Sequence, residues 1–198
     1  MGSGGKPTVA AVILAAGAGT RFAGPGHKLD AELGDRSVLR RAVDAALAAA
    51  VGPVIVVTAG QVRTPLDAAL VHVHNERWAG GQATSLQAGI AAAAELGATA
   101  VAVGLGDQPF VAPAAWRAVA GTDAPIAAAT YGGRRGHPVR LRDDVWGLLP
   151  HTGEDGARLL MRLRPDLITA VPCDGSAIDI DTVEDLRRWQ TNSSTSSP

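Results

Sequence analysis

The chain has 198 residues, 46 % of them hydrophobic, and a formal charge of −1 from 18 Lys and Arg against 19 Asp and Glu. That is one domain's worth of chain with ordinary apolar content, which excludes intrinsic disorder and two independent cores. The balanced charge supplies no field to draw the molecule onto nucleic acid, and no apolar run approaches the ~20 residues that cross a bilayer, so neither nucleic acid nor membrane is expected as a partner. One cysteine, Cys173, leaves no intrachain disulfide and no multi-cysteine zinc site.

Residues 1–7 are small and polar without an apolar signal core, so a flexible tail and a cytoplasmic location are expected. In chain order, a strand is predicted over residues 9–14, a helix over 38–50, a strand over 53–58 and a helix over 85–96. A strand over 100–105, a helix over 113–119, a strand over 126–130 and helices over 156–163 and 183–189 follow. The strands are nearly continuous in apolar residues, as strands covered on both faces should be. Thr84 with Gln87, and Thr182 with Asp185, have the spacing of helix-start capping pairs. Residues 131–142, with Gly132, Gly133 and Gly136, predict a hairpin or an excursion over the sheet edge. Residues 191–198 are polar and expected to be a second flexible tail, which places the domain at 8–190. Alternating strands and helices give an α/β layered sheet. Only four Trp, two Phe and one Tyr are present, so helices built largely of alanine must lie close to that sheet.

In such sheets ligands bind beyond the carboxyl ends of the strands, so the loops after strands are informative. The first is Leu14-Ala15-Ala16-Gly17-Ala18-Gly19-Thr20-Arg21-Phe22, followed by Lys28. Its glycines let backbone N–H groups approach an anion, Arg21 offers a fixed fork of donors and Lys28 a point charge, which suits a polyphosphate. A dinucleotide fingerprint fails because Phe22 stands where the third glycine belongs and Val57-Thr58-Ala59-Gly60 ends the next strand without an acid. The second loop puts Asp107 directly after a buried strand, as a Mg²⁺ ligand or as a turn residue. His72 and His74 share a strand face but lack a third ligand, and read as structural.

Together these segments are similar to a known family. Leu14-Ala15-Ala16-Gly17-x-Gly19-x-Arg21 with Lys28 comes first, then Asn75-x-x-Trp78-x-x-Gly81-x-x-x-Ser85-Leu86. Gly106-Asp107-Gln108-Pro109, Gly136-His137-Pro138-Val139, Gly153-x-Asp155-Gly156-Ala157-Arg158 and Asp179-Ile180-Asp181-Thr182-x-Glu184-Asp185 complete the set, in family order. The chain resembles the molybdenum-cofactor nucleotidyltransferases, of the molybdopterin cytidylyltransferase kind. The resemblance implies a single-domain, three-layer α/β/α Rossmann-like nucleotidyltransferase fold around a mostly parallel mixed sheet. It implies an enzyme that, with Mg²⁺, transfers CMP from CTP to the terminal phosphate of molybdopterin or a similar phosphorylated precursor.

By the same resemblance Leu14, Ala15, Ala16, Gly17 and Gly19 bind the nucleotide, with Arg21 and Lys28 on the triphosphate and Gly81 and Ser85 toward the base. Asp107 and Asp181 hold the metal, with Asp179 in reserve, and His137 has either a substrate-side or a turn-stabilising role. The spacer from Arg21 to Lys28 is longer than the usual family form, and His27 within it competes as a phosphate ligand. Ala16, where the guanylyl branch has glycine, points to a pyrimidine base. A phosphorylated small molecule is the expected acceptor and a molybdoenzyme apoprotein a further partner. A sugar or polyol phosphate acceptor, and a binding protein without turnover, are the other readings. The full set of cations and carboxylates argues against the last.

Overall fold

The computed structural model describes residues 8–194. Strand β1 (Val9–Ala15) is followed by the short hairpin β2 (Glu32–Leu33) and β3 (Arg36–Ser37), helix α1 (Val38–Ala49), β4 (Val54–Thr58), β5 (Val71–His74) and α2 (Gln82–Glu95). Then come β6 (Ala100–Leu105), α3 (Pro113–Ala120), β7 (Ile126–Tyr131), β8 (Arg134–Arg142), α4 (Ala157–Leu163), β9 (Ile168–Pro172) and α5 (Val183–Ser194). Seven strands form one sheet in the order β5-β4-β1-β6-β8-β7-β9. All its pairings are parallel except those of β8, which runs antiparallel to both neighbours.

The layers follow from the two-residue period of the strands. Ala11 and Ile13 of β1 turn to α1, α3 and α5, packing with Leu39, Trp116 and Leu186. Ala10 and Val12 turn to α2 and α4, packing with Leu86 and Leu160. Close approach of the alanine-rich helices is visible at Gly89 of α2, where a Cβ would stand 2.5 Å from Val12 Cγ1. This is the three-layer α/β/α sandwich around a mostly parallel mixed sheet expected above.

Three details differ from the expectations and one agrees. The segment 131–142 is a hairpin, closed by Gly132 and Gly133 at φ 56° and 80°, but β8 lies inside the sheet and not over its edge. Helix α2 begins at Gln82, so Thr84 sits in the first turn instead of capping it, and its hydroxyl donates to the carbonyl oxygens of Gly81 and Arg77. The Thr182–Asp185 pair, by contrast, closes reciprocally at the start of α5: the Asp185 amide donates to Thr182 Oγ1 at 3.1 Å and the Thr182 amide to Asp185 Oδ2 at 2.9 Å. Finally, α5 continues to Ser194, four residues into the stretch read as a tail; residues 1–7 and 195–198 lie outside the described ones. No helix among the described residues is long and apolar enough to cross a membrane.

Candidate active site

The carboxyl ends of β1 and β6 lie side by side, and the loops after them form one wall of a cleft of about 580 Å³. Residues 14–21, Lys28, Gly81, Ser85, Asp107 and Asp181 all line it. Every residue expected from sequence to handle nucleotide or metal is therefore gathered in one place. Ala16 is buried and lines the cleft.

Lys28 is the centre of the cleft. It lies in a single helical turn, Lys28–Asp30, and its Nζ donates to Asp107 Oδ2 at 2.6 Å and to Asp181 Oδ1 at 2.8 Å. Burial pulls the ammonium's pKa down, but the charge of Asp107 and the hydrogen bonds it donates to both carboxylates outweigh that and hold the group above the usual lysine value. Arg21 Nη2 reaches Asp181 Oδ2 at 3.0 Å from a largely exposed side chain, an ion pair weak enough to be exchanged for a phosphate.

The long spacer before Lys28 is held by His27. Its Nε2 lies 2.9 Å from the Gly17 carbonyl oxygen and its Nδ1 accepts from the Leu29 amide at 3.3 Å. A ring carrying its proton on Nε2 satisfies both contacts at once. His27 is thus a strut between the glycine loop and the Lys28 turn, and it is not among the residues that line the cleft.

Asp181 is brought to Asp107 by the residue between the two late carboxylates. Ile180 is fully buried and its amide donates to the Asp107 carbonyl at 2.9 Å. Asp179 and Asp181, on either side of it, both line the cleft. Asp181 meets Lys28, while Asp179 accepts from Gln108 Nε2 at 2.8 Å. Burial, with repulsion from Asp107, raises the Asp179 pKa.

On the other wall, Asn75 Nδ2 donates to Thr84 Oγ1 at 2.9 Å and to Ser85 Oγ at 3.0 Å. Ser85 is accordingly buried and committed to Asn75 as well as facing the cleft. Gly81, at φ 93°, packs against backbone: a Cβ there would meet Gly153 C and O at 2.5 Å. That explains glycine at this position without reference to a base. His72 donates to or accepts from Thr58 Oγ1 at 2.6 Å, and no group of three His, Cys, Asp or Glu residues suited to a metal exists among the described residues.

A second cavity, of about 820 Å³, adjoins the first and shares Leu105, Arg158 and Asp179 with it. His137, Tyr131, Arg134 and Arg135 of the β7–β8 hairpin line its other side. Burial, aided by the Arg158 charge, pushes the His137 imidazole down to about 4, so it is neutral near pH 7. Its carbonyl accepts from Tyr131 Oη at 2.7 Å, which ties the bend at His137 to the hairpin. Arg158 stands at the seam between the two cavities. The sequence placed Arg158 in a family segment but assigned it no task; its seam position was not legible because β6 and α4 are far apart along the chain.

Asp107 Oδ1 is buried and has no hydrogen-bond partner within the protein. Its Oδ2 and Asp181 Oδ1 already converge on one cation. Two hard oxygen donors with room for phosphate and water fit Mg²⁺, which rarely takes a cage made wholly of protein.

A glycine loop, two cations and paired carboxylates at the end of a largely parallel sheet define a nucleotide-handling site of transferase type. Residues 11–167, more than half the chain, match the MobA-like NTP transferase domain, and the chain belongs to that family. No curated protein matches it. The crystal structure of Rv0371c from Mycobacterium tuberculosis H37Rv is similar with a TM-score of 0.80 at 28 % identity, over 94 % of this chain and 100 % of that one. The same protein in complex with manganese gives 0.77 at 27 % identity, over 93 % and 98 %. A nucleotidyl transferase from Methanothermobacter thermautotrophicus, Mth528, gives 0.78 at 26 % identity, over 93 % and 97 %.

Proposed function

We propose that this nucleotidyltransferase moves CMP from CTP onto the terminal phosphate of molybdopterin or a similar phosphorylated precursor, releasing pyrophosphate. The observation that carries the reading is the Asp107–Lys28–Asp181 group in the cleft walled by the glycine loop, beside a second cavity walled by arginines that shares Leu105, Arg158 and Asp179 with it. In this reading the active domain is residues 8–190 and acts in the cytoplasm, with a molybdoenzyme apoprotein as the receiver of the product.

An acceptor phosphate has a second pKa of about 6, so it is largely ionised at pH 7 and needs no strong general base. The residues need only align it and accept charge. The backbone of residues 16–19 cradles the triphosphate, and Arg21 and Lys28 face the oxygens that gain charge as pyrophosphate departs. Asp107 and Asp181 are the residues that would hold Mg²⁺, the ion supplying charge neutralisation across the phosphates when bound. That a relative is crystallised with manganese supports a divalent-ion requirement. His137, neutral, offers the acceptor a hydrogen bond without a charge of its own. Holding the two reactants in line contributes on the order of 7–11 kcal/mol to lowering the barrier.

Buried Ala16 selects the pyrimidine: its methyl narrows the cleft under the base, a discrimination worth roughly 1–3 kcal/mol. Pyrophosphate release measured with Mg²⁺, each of four triphosphates and a panel of phosphorylated acceptors tests the whole reading. CTP is expected to give the highest kcat/KM, and Ala16→Gly to bring GTP closer to it. A wild-type preference for GTP overturns the cytidylyl assignment, and no turnover with any triphosphate overturns the transfer itself.

A further inference from the structure

Lys28 holds the same two carboxylates that would hold Mg²⁺. Its Nζ lies 2.6 Å from Asp107 Oδ2 and 2.8 Å from Asp181 Oδ1, and the side chain is only 11 % exposed. The remaining oxygens do not replace that pair, because Asp181 Oδ2 meets Arg21 at 3.0 Å and Asp107 Oδ1 is buried. An ammonium seated between Oδ2 and Oδ1 therefore competes with any other cation for them.

Charge sharpens the conflict. Lys28 and Arg21 together balance Asp107 and Asp181, and the next carboxylate, Asp179, is already bonded to Gln108. A divalent ion taken up alone would turn Lys28 out from both of its partners. A nucleoside triphosphate offers the lysine a replacement, about four negative charges near pH 7 placed in the adjoining loop.

The stem of the side chain makes that exchange short. The Lys28 turn is tied to the Gly17 carbonyl oxygen through His27, and Lys28 Cγ lies beside Gly19, 3.5 Å from where a Cβ on that glycine would stand. Lys28 and residues 16–19 line one cleft. With the turn fixed, rotation about the bonds beyond Cγ carries Nζ from the strand-end carboxylates toward the loop.

We propose that Lys28 is a two-position cation, seated on Asp107 and Asp181 until a triphosphate enters the glycine loop and then moving onto its phosphates, so that the carboxylate pair takes a divalent ion only together with nucleotide. The proposal rests on the transfer reading above, since it orders the binding events at the same site. It gives Lys28 a task before any chemistry, keeping lone metal ions off the pair. It also couples the two ligands: whatever factor the nucleotide adds to metal affinity, the metal adds to nucleotide affinity.

The chain has only two lysines, Lys6 and Lys28, so protein labelled with ¹⁵N in lysine gives two Nζ resonances, and Lys6→Arg identifies the one from Lys28. Mg²⁺ alone is expected to leave that resonance in place, and Mg²⁺ with the non-hydrolysable α,β-methylene CTP to shift it. Calorimetry follows binding of the analogue separately. In a second measurement free Mn²⁺ is counted by electron paramagnetic resonance without nucleotide. Lys28→Met is expected to bind Mn²⁺ about tenfold tighter or more than wild type, and Lys28→Met/Asp107→Asn to lose that gain. A resonance that the bound analogue leaves unmoved, or that Mg²⁺ alone moves as far, overturns the proposal and leaves the transfer reading intact. Equal Mn²⁺ affinity in wild type and folded Lys28→Met, or a gain that survives Asp107→Asn, does the same. Failure of the analogue to bind overturns the transfer reading, and this one with it. The resonance is read with Lys28 in place, so it decides the matter even where Lys28→Met does not fold.

Discussion

Two buried cations sit in this molecule under opposite regimes. Lys28, at the strand ends, has two carboxylates within 2.8 Å. Arg140, fully buried in the middle of β8, has a single carbonyl, Ala124 O, at 2.6 Å from Nη1, and its Nε and Nη2 have no partner. Burial lowers the Arg140 pKa, with the charge of Arg142 adding to the effect. Arg140 fits at all because its neighbours across both ladders, Ala102 and Ala127, are small. A buried ion without full compensation costs stability, whereas one held by two anions is a place where charge can be exchanged. The comparison teaches that burial of a charge does not by itself mark a working site. What distinguishes Lys28 is that its counter-charges come from separate loops that converge on a cavity.

The largest expected effect comes from removing one of those counter-charges. Asp107→Ala should lower kcat by roughly 10²–10³-fold, the scale of losing one electrostatic anchor in an active site. Its circular dichroism should match wild type, because β6 keeps its packing. Turnover within a few fold of wild type would place Lys28 in the same class as Arg140, a cation with no part in the chemistry.

Arg140→Met tests the other side. Replacing an under-compensated buried charge by an apolar side chain of similar reach should raise the unfolding free energy by about 1–4 kcal/mol in urea titrations. CTP binding should be unchanged. A loss of stability would show that the single carbonyl bond compensates Arg140 better than its orphaned nitrogens suggest.

The smallest effect is expected at Thr182, which bears on how firmly Asp181 is held. Asp185 Oδ2 accepts from the amides of Thr182 and Asp181 as well as from the Thr182 hydroxyl. Thr182→Ala should cost about 1 kcal/mol, seen as a fall in Tm of about 2–4 °C. An unchanged Tm would mean that the Ile180 anchor alone sets the position of Asp181.

Much of this was legible in the chain because it is local. The continuous apolar run that becomes β1, the Thr182–Asp185 box and the glycine loop after β1 each carry their own signal within a few residues. β8 was less legible: its residues announce a hairpin, but nothing in them says that a strand between β6 and β7 is waiting for it. The start of α2 was displaced for a related reason, since it is set by Gly81 lying against Gly153, seventy-two positions away in the chain. The presence of Lys28, Asp107 and Asp181 in one site followed from family likeness, but the bonds from Lys28 to both carboxylates did not, and the strut role of His27 depends on where Gly17 and Leu29 come to rest. The arginines of the second cavity were visible as residues and silent as a group, because Arg134 and Arg135 of the hairpin meet Arg158 of α4 only in the folded cavity.

The bond from Lys28 to Asp181 spans 153 positions. A ribosome adding about 5–20 residues per second therefore delivers the second carboxylate roughly 8–30 s after the lysine. Asp107 arrives about midway, 79 positions after Lys28. Through that interval the nascent chain carries the glycine loop and its cations without the pair of carboxylates that organises them. The pair of carboxylates is complete only once Ile180 has been made and its amide can seat on the Asp107 carbonyl, so an N-terminal fragment ending before Ile180 lacks both Asp181 and the anchor that places it.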